Sequence, residues 1–278
     1  MALDQTVKVD DLSIRYRDTG GSGLPVLLSS GIGGSLELWG KQLEMLGDTH
    51  RLIAWDYPGH GLSDTWDRSF EPDGLADFTL RFLDALGIER AVLAGNSLGG
   101  ATSIRAAAKA PDRAAGLFLA APAMVGPEVF VPFRLMTLPV LGKILTKPSD
   151  KGVEIALSAI LHDSETVTDD MRDFMRRNQF KEGGAQAFRQ TMCETLNLRG
   201  CKPAYWRASQ DMLAAMECPV QFFHGRQDKV LPVSQAQTCH ALTPNSELHI
   251  ADPCGHTPQW EVPEEFNKSL TDFVASVD

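Results

Sequence analysis

The apolar residues of this chain change their spacing soon after its beginning. From Thr6 to Arg17, apolar and polar residues alternate around the pair Asp10-Asp11, which predicts an antiparallel hairpin. Short, nearly continuous apolar runs follow, which are typical of strands buried on both faces. Strands that alternate with helices favour a parallel sheet with right-handed crossovers. The predicted strands are 25–30, 51–56, 90–95 and 115–121, and the predicted helices are 36–46, 74–86 and 97–109.

The alternation is interrupted in the middle of the chain. From Pro122 to Glu217 the sequence shows no convincing strand and instead predicts a series of short helices. We therefore expect an α/β core, residues 1–121 and 218–278, that is interrupted by a helical insertion, residues 122–217. The predicted insertion helices are 133–145, 152–161, 169–180, 185–196 and 202–216, and the alternation resumes with strands 220–224 and 247–251 and helices 234–242 and 263–277.

Composition and charge indicate which kinds of molecule this chain can bind. Of the 278 residues, 43% are hydrophobic and 22% are charged, and the net charge is −10. An acidic chain disfavours nucleic acid or an anionic membrane as partner, because both require a basic face, and favours a small molecule. The first residues show no signal-peptide pattern, and no stretch is apolar for long enough to span a membrane. We expect a cytoplasmic protein, either a monomer or a homodimer.

The cysteines do not suggest a metal or redox site. All five lie in the last third of the chain, and their spacing matches neither a metal-binding nor a redox motif. We expect reduced thiols and no bound metal. The five are Cys193, Cys201, Cys218, Cys239 and Cys254.

A candidate nucleophile lies where a predicted strand meets a predicted helix. The sequence Gly95-Asn96-Ser97-Leu98-Gly99 has the form Gly-x-Ser-x-Gly, and glycines two residues either side of a serine permit a sharp, strained turn. Such a turn presents the Ser97 hydroxyl at a helix N-terminus, where backbone amides favour a developing anion. A serine that merely caps the helix is the plainer alternative.

A serine hydroxyl needs a histidine base and an acid that orients the base. Asp228 follows the predicted strand 220–224, and His256 follows the last predicted strand. Of the seven histidines, only His256 stands at a strand end downstream of both Ser97 and Asp228. His224 and His249 are predicted to lie on strands and were not favoured for this role. Asp252 is the nearest rival to Asp228, but it is too close in sequence to His256 to face it easily.

The transition state of acyl transfer places negative charge on the former carbonyl oxygen, which requires two preorganised donors. The backbone amide of Leu98, directly after Ser97, is one candidate. The backbone amide of Ile32 is the other, because the neighbouring glycines Gly31, Gly33 and Gly34 let that loop approach closely.

Taken together, these motifs resemble the α/β-hydrolase superfamily along nearly the whole chain. The matching segments are 30–34, 56–63, the turn around Ser97, and the loops that carry Asp228 and His256. The resemblance implies a mostly parallel eight-stranded sheet, residues 122–217 as a helical cap over the active site, and no cofactor or metal. One departure is Ser30, where family members usually have a histidine. Enol-lactonase-like members share that departure, so it leaves hydrolysis intact but changes the hydrogen bonding behind Ile32.

Several activities of this superfamily use a serine nucleophile. The expectation is hydrolysis of a carboxylic ester, or a related lactone or thioester, of a small hydrophobic substrate through an acyl-enzyme. The alternative is a carbon-carbon hydrolase that acts on diketo acids from meta ring fission. The turn at Ser97 closely resembles that of such hydrolases, but their longer oxyanion loop, rich in Gly-Pro-Gly, is missing here. Enol-lactone hydrolysis, a non-catalytic ligand-binding receptor and cofactor-free oxygenation are further alternatives.

The insertion is also expected to supply the wall of the substrate pocket. Its apolar side chains suggest a hydrophobic substrate portion, although packing between cap helices is the commoner role for any single one. Arg134, Arg189 and Arg199 are candidate carboxylate clamps, with a solvated surface role as the plainer alternative. The candidate pocket residues are Phe133, Met136, Met171, Phe174, Met175 and Phe188.

Overall fold

A computed structural model describes residues 3–278. Eight strands form one sheet in the order β1-β2-β4-β3-β5-β6-β9-β10. Strand β2 pairs antiparallel with β1 and with β4, and all other pairs are parallel, so the mostly parallel eight-stranded sheet is confirmed. The strands are β1 Gln5–Val9, β2 Leu12–Asp18, β3 Val26–Ser29, β4 Leu52–Trp55, β5 Ala91–Asn96, β6 Ala114–Ala120, β9 Val220–Gly225 and β10 Ser246–Ala251.

Helices cover both faces of the sheet, and every residue of the central strands β3, β4, β5 and β6 is therefore buried. One apolar cluster joins the sheet to α2 and α3, and a second joins it to α1 and α12. The core helices are α1 Gly40–Leu46, preceded by a 3-10 helix Leu36–Trp39, α2 Pro72–Ala85, α3 Leu98–Lys109, α10 Val233–Leu242, α11 Pro258–Glu261 and α12 Pro263–Val277, with a short 3-10 helix Pro111–Arg113.

The segment between β6 and β9 is largely helical, with two differences from the prediction. The helix predicted at 133–145 is two helices, because Pro139 disfavours helical backbone at Leu138, which is extended with ψ 138°. The expectation of no strand was wrong, since β7 and β8 pair as a small antiparallel hairpin whose two-residue strands are too short to leave a pattern in the sequence. The elements are α4 Val131–Leu135, α5 Pro139–Leu145, α6 Asp150–Ile160, a 3-10 helix Ser164–Thr166, α7 Asp169–Phe180, α8 Gly184–Thr195, β7 Leu196–Asn197, β8 Gly200–Cys201 and α9 Pro203–Ala214.

Helix α9 packs on the core helix α3 through a buried arginine. The guanidinium of Arg105, on α3, donates hydrogen bonds to the carbonyl of Tyr205 and to the hydroxyl of Ser209 on α9, both at 3.0 Å. The expected boundary of the insertion at Glu217 stays a prediction, but these contacts join α9 to the core layer. In the part of the chain that the structure describes, no helix is both long and apolar enough to cross a bilayer.

Candidate active site

The predicted site residues follow different parallel strands and meet at one edge of the sheet. Ile32 lies beyond the end of β3, Ser97 directly follows β5, Asp228 lies beyond β9, and His256 lies beyond β10. The carboxyl ends of parallel strands share one edge of a sheet, and the crevice there is where open α/β sheets bind ligands. The fold therefore brings together residues that are far apart in the sequence.

Ser97 occupies the strained turn that its flanking glycines predict. Its φ of 55° and ψ of −114° lie in a region that residues with side chains rarely adopt. A Cβ atom on Gly99 would lie 2.1 Å from the carbonyl oxygen of Ser29, and one on Gly95 would lie 2.3 Å from the carbonyl carbon of Gly99. Only glycine fits at these two positions, so the local sequence dictates the turn.

Asn96 connects this turn to the loop that carries His256. Its side-chain amide donates hydrogen bonds to the carbonyl of Ala120 at 3.1 Å and to the carbonyl of His256 at 3.0 Å. Among residues 3–278, no hydrogen bond joins the Ser97 hydroxyl to the His256 ring. Such bonds are often long outside the reactive complex. Asn96 was not predicted as a site residue, although its place beside Ser97 is a usable signal.

Asp228 and His256 form the pair expected from the sequence. Nδ1 of His256 lies 2.7 Å from Oδ2 of Asp228, and both side chains are buried. The other oxygen of Asp228 accepts hydrogen bonds from the amides of Val230 at 2.7 Å and Leu231 at 2.9 Å. Burial alone would raise the pKa of the Asp228 carboxyl, but interactions with His256 and with His224 outweigh it and hold that pKa below its usual range. The carboxylate is therefore charged and can orient the ring of His256.

His224 is a second histidine on the same carboxylate. Its Nε2 atom lies 3.1 Å from Oδ2 of Asp228 and 3.0 Å from the carbonyl oxygen of Leu231. Because both neighbours are acceptors, Nε2 must carry the proton, and Nδ1 is buried without a partner among residues 3–278. The sequence predicts His224 to be a strand residue, with no role in the site. Its contact depends on how the loop after β9 folds back, which the pattern of the strand does not reveal.

Two backbone amides beside Ser97 are free to bind an anion. Neither the amide of Ile32 nor that of Leu98 donates to another group within residues 3–278. The loop that carries Ile32 is closed by the hydroxyl of Ser30, which donates to the carbonyl of Ser35 at 2.9 Å. This bond is the local consequence of having Ser30 where a histidine is usual.

Helix α7 also contacts this loop. The side-chain amide of Asn178 donates to the hydroxyl of Ser35 at 2.9 Å and to the carbonyl of Gly33 at 3.3 Å. The neighbouring Arg177 pairs with Glu37 at 2.9 Å. Although burial raises the pKa of Glu37, hydrogen bonds from Arg177 and Arg15 lower it well below its usual range. A charged network therefore attaches α7 to the loop of the candidate oxyanion hole.

The candidate pocket residues divide between two regions. The rings of Phe133 and Phe188 pack edge to face, with centroids 6.0 Å apart, and Phe188 lies against Gly33. Met171, Phe174 and Met175 belong instead to a cluster between α6 and α7, and Met136 is half-buried after α4. The apolar face of α7 is visible in the sequence, but which neighbour it packs against is not.

The three candidate arginine clamps lie in different surroundings. Arg134 donates to the carbonyl of Val129 at 2.6 Å, and Arg199 follows β7 in an exposed turn. Arg189 lines a surface cleft together with Lys143 and Lys147. In the described range 3–278, no cluster of three or more His, Cys, Asp or Glu side chains could hold a metal ion.

A mostly parallel eight-stranded sheet with a serine in a strained strand-to-helix turn is the architecture of the α/β hydrolases. The family model for the alpha/beta hydrolase fold matches residues 25–263, so the chain belongs to this family and is a hydrolase of the α/β class.

Relatives with this fold include hydrolases of ring-fission products. A 2-hydroxy-6-oxononadienedioate/2-hydroxy-6-oxononatrienedioate hydrolase of Paraburkholderia phymatum is 28% identical over 269 residues, which is 95% of this chain and 91% of the relative. A 2-hydroxy-6-oxo-6-phenylhexa-2,4-dienoate hydrolase of Comamonas testosteroni is 27% identical over 275 residues, 96% of this chain and 92% of that one. The solved structure of a meta-cleavage product hydrolase from Pseudomonas fluorescens IP01 superposes with a TM-score of 0.83 at 23% identity, covering 99% of this chain and 98% of that one.

Proposed function

We propose that this protein is a carbon-carbon hydrolase that cleaves meta-ring-fission products, which are 2-hydroxy-6-oxo-dienoates, with Ser97 as nucleophile, His256 as base and Asp228 as the acid that orients it. The observation that carries the choice of substrate class is the similarity, along more than nine-tenths of the chain, to hydrolases named for such compounds. Ester hydrolysis, the first expectation from the sequence, is therefore the second candidate.

The site supports acyl transfer through a covalent intermediate. Ser97 Oγ bonds to the substrate carbonyl carbon while its proton passes to Nε2 of His256, and the amides of Ile32 and Leu98 stabilise the oxyanion. The leaving group then departs with the proton from His256 and leaves an acyl group on Ser97. Water, deprotonated by His256, displaces the acid and restores the Ser97 hydroxyl.

A carbon leaving group needs a place for its electron pair. In a 2-hydroxy-6-oxo-dienoate, the proton of the 2-hydroxyl first moves to C5, which gives a 2,6-dioxo compound. When the bond between C5 and C6 breaks, the electron pair spreads through the double bond to the oxygen on C2, and that oxygen takes the proton from His256. The C6 substituent stays on the acyl group, and the apolar rings of Phe133 and Phe188 supply surface for it.

Two substrates with the same acyl group separate the candidates. We expect kcat/KM for 2-hydroxy-6-oxo-6-phenylhexa-2,4-dienoate, followed by loss of its conjugated absorbance, to exceed that for 4-nitrophenyl benzoate by at least about tenfold. Ser97→Ala should lower both rates by about 10³-fold or more. Ser103→Ala, a matched change at a buried serine within α3, should retain wild-type rates.

The other outcomes are equally informative. Turnover of the ester without the dienoate would overturn the proposal in favour of the second candidate, an esterase. No turnover of either compound, or of an enol-lactone, would point to a ligand-binding protein. A cytoplasmic location and a monomeric or homodimeric state stay predictions.

A further inference from the structure

The outer side of the cap carries an unusual group of exposed apolar side chains. They all belong to α4 and α5, and we call this surface the α4–α5 face. Exposed apolar residues that occur singly are ordinary, whereas a contiguous group marks an interaction site. Its members are Val131 (56% exposed), Leu135, Val140 (73%), Leu141, Ile144 (65%) and Leu145.

The charge of the same segment is opposite to that of the whole chain. From Val129 to Ser149 there is no aspartate or glutamate, whereas Arg134, Lys143 and Lys147 are basic, in a chain with a net charge of −10. Within residues 3–278, the lysines that form ion pairs are Lys109 and Lys268, whereas Lys143 and Lys147 are exposed and form none. An apolar face flanked by unpaired lysines is the composition of helices that lie in the surface of an anionic membrane.

The α4–α5 face lies directly behind the candidate pocket. Phe133, on α4, packs edge to face with Phe188, which covers Gly33 in the loop of the candidate oxyanion hole. Val131 and Leu135, on the same helix, are exposed. Helix α4 therefore separates the candidate pocket from the surface of the cap.

We propose that the α4–α5 face docks on an anionic lipid surface. Its apolar side chains would enter the boundary between headgroups and acyl chains, and Lys143 and Lys147 would lie among the lipid phosphates. The acidic remainder of the chain does not prevent this, because charges more than about 10 Å from the membrane are screened at about 0.1 M salt. A second copy of the chain is a poorer occupant, since a twofold contact would place the lysines of both copies in one interface to which residues 129–149 contribute no carboxylate.

Co-sedimentation with vesicles tests the proposal. We expect the wild-type protein to bind phosphatidylcholine vesicles that contain phosphatidylglycerol more tightly than pure phosphatidylcholine vesicles, and to be released by high salt. Val140→Ser/Ile144→Ser should weaken binding at least about tenfold. Lys143→Glu/Lys147→Glu should abolish the preference for the anionic lipid, since each lysine near such a surface contributes about fivefold.

Matched controls keep the result interpretable. Leu3→Ser/Leu242→Ser replaces two apolar residues that are also exposed and should bind as the wild type does. All variants should keep wild-type turnover of a water-soluble substrate, and docking does not depend on which bond is cleaved. The proposal is overturned if vesicles of neither composition bind, if Val140→Ser/Ile144→Ser binds normally, or if light scattering shows a dimer that this variant dissociates.

Discussion

Asp228 is the most heavily bonded side chain of the candidate site. One of its oxygens accepts two backbone amides, and the other is shared by His256 and His224. His224 touches no atom of the proposed reaction, so we regard it as a positioning residue that fixes the carboxylate facing His256. A hydrogen bond to a charged group contributes roughly 1.5–3 kcal/mol to stability. Loss of a bond of this strength to the Asp228 carboxylate is large enough to lower kcat measurably.

Substitution of His224 tests this role. We expect His224→Leu to lower kcat by about tenfold or more with little change in KM, because the Asp228 carboxylate loses one of its fixed contacts. His224→Gln, whose side-chain amide can donate in place of Nε2, should recover most of the loss. A glutamine variant as slow as the leucine variant would show that only the shape of the side chain matters.

At the scale of secondary structure, the turn at Ser97 depends on the close approach of α3 to two strands. Gly99, in the first turn of α3, lies against the backbone of Ser29 at the end of β3, and Gly95 lies against Gly99 itself. Backbone atoms cannot move aside as side chains can. A methyl group here therefore has to displace the helix.

Two glycine substitutions measure the cost of that displacement. Gly99→Ala should lower the free energy of unfolding by about 3 kcal/mol, since the new Cβ would overlap the carbonyl oxygen of Ser29. Gly40→Ala is the control, because Gly40 has helical φ and ψ of −54° and −43° and no heavy atom near its Cβ position. It should be neutral or stabilising by up to about 1 kcal/mol. Urea denaturation, followed by tryptophan fluorescence, measures the free energy of unfolding of both variants. An equal loss in Gly99→Ala and Gly40→Ala would contradict the packing argument.

At the scale of the whole molecule, the segment 122–217 meets the rest of the chain at the candidate site. The amide of His256 donates to the carbonyl of Ile160 at the end of α6, at 2.8 Å, and Asn178 of α7 holds the loop at Gly33. The segment 122–217 is thus attached both to His256 and to the loop of the candidate oxyanion hole. Movement of α6 would strain the bond to His256, and movement of α7 would strain the bond to the loop at Gly33.

The stability of the molecule should also depend on pH through His60, which is buried. Burial lowers the pKa of His60 to about 4 in the folded protein, from 6.5 when exposed. Below pH 6.5 the unfolded chain takes up this proton and the folded chain does not, so stability falls as the pH decreases toward 4. We expect a loss of about 3 kcal/mol over this range from this group.

Denaturation of a variant isolates this contribution. In urea titrations at pH 7.0, 5.5 and 4.5, His60→Asn should show a smaller loss of unfolding free energy than the wild type. The control His162→Asn changes an exposed histidine and should keep the wild-type dependence. If His60→Asn also retains the wild-type dependence, the acid sensitivity lies in other groups.

The sequence by itself determined the order along the chain of the strands of the main sheet, the family and the turn at Ser97. Periodicity reports burial on one or both faces of an element, and the glycines at 95 and 99 report a close approach of backbone, so both are local properties. The pairing of Asp228 with His256 could also be predicted, because both follow strands whose carboxyl ends meet at one edge of the sheet.

The tertiary structure alone decided which elements touch. It placed His224 on Asp228, joined α9 to α3 through Arg105, and separated Phe133 and Phe188 from the cluster that contains Phe174. It also left the apolar residues of α5 exposed instead of packed against the core. An apolar periodicity shows that a helix has a face to cover, but the partner of that face is chosen by contacts between distant parts of the chain.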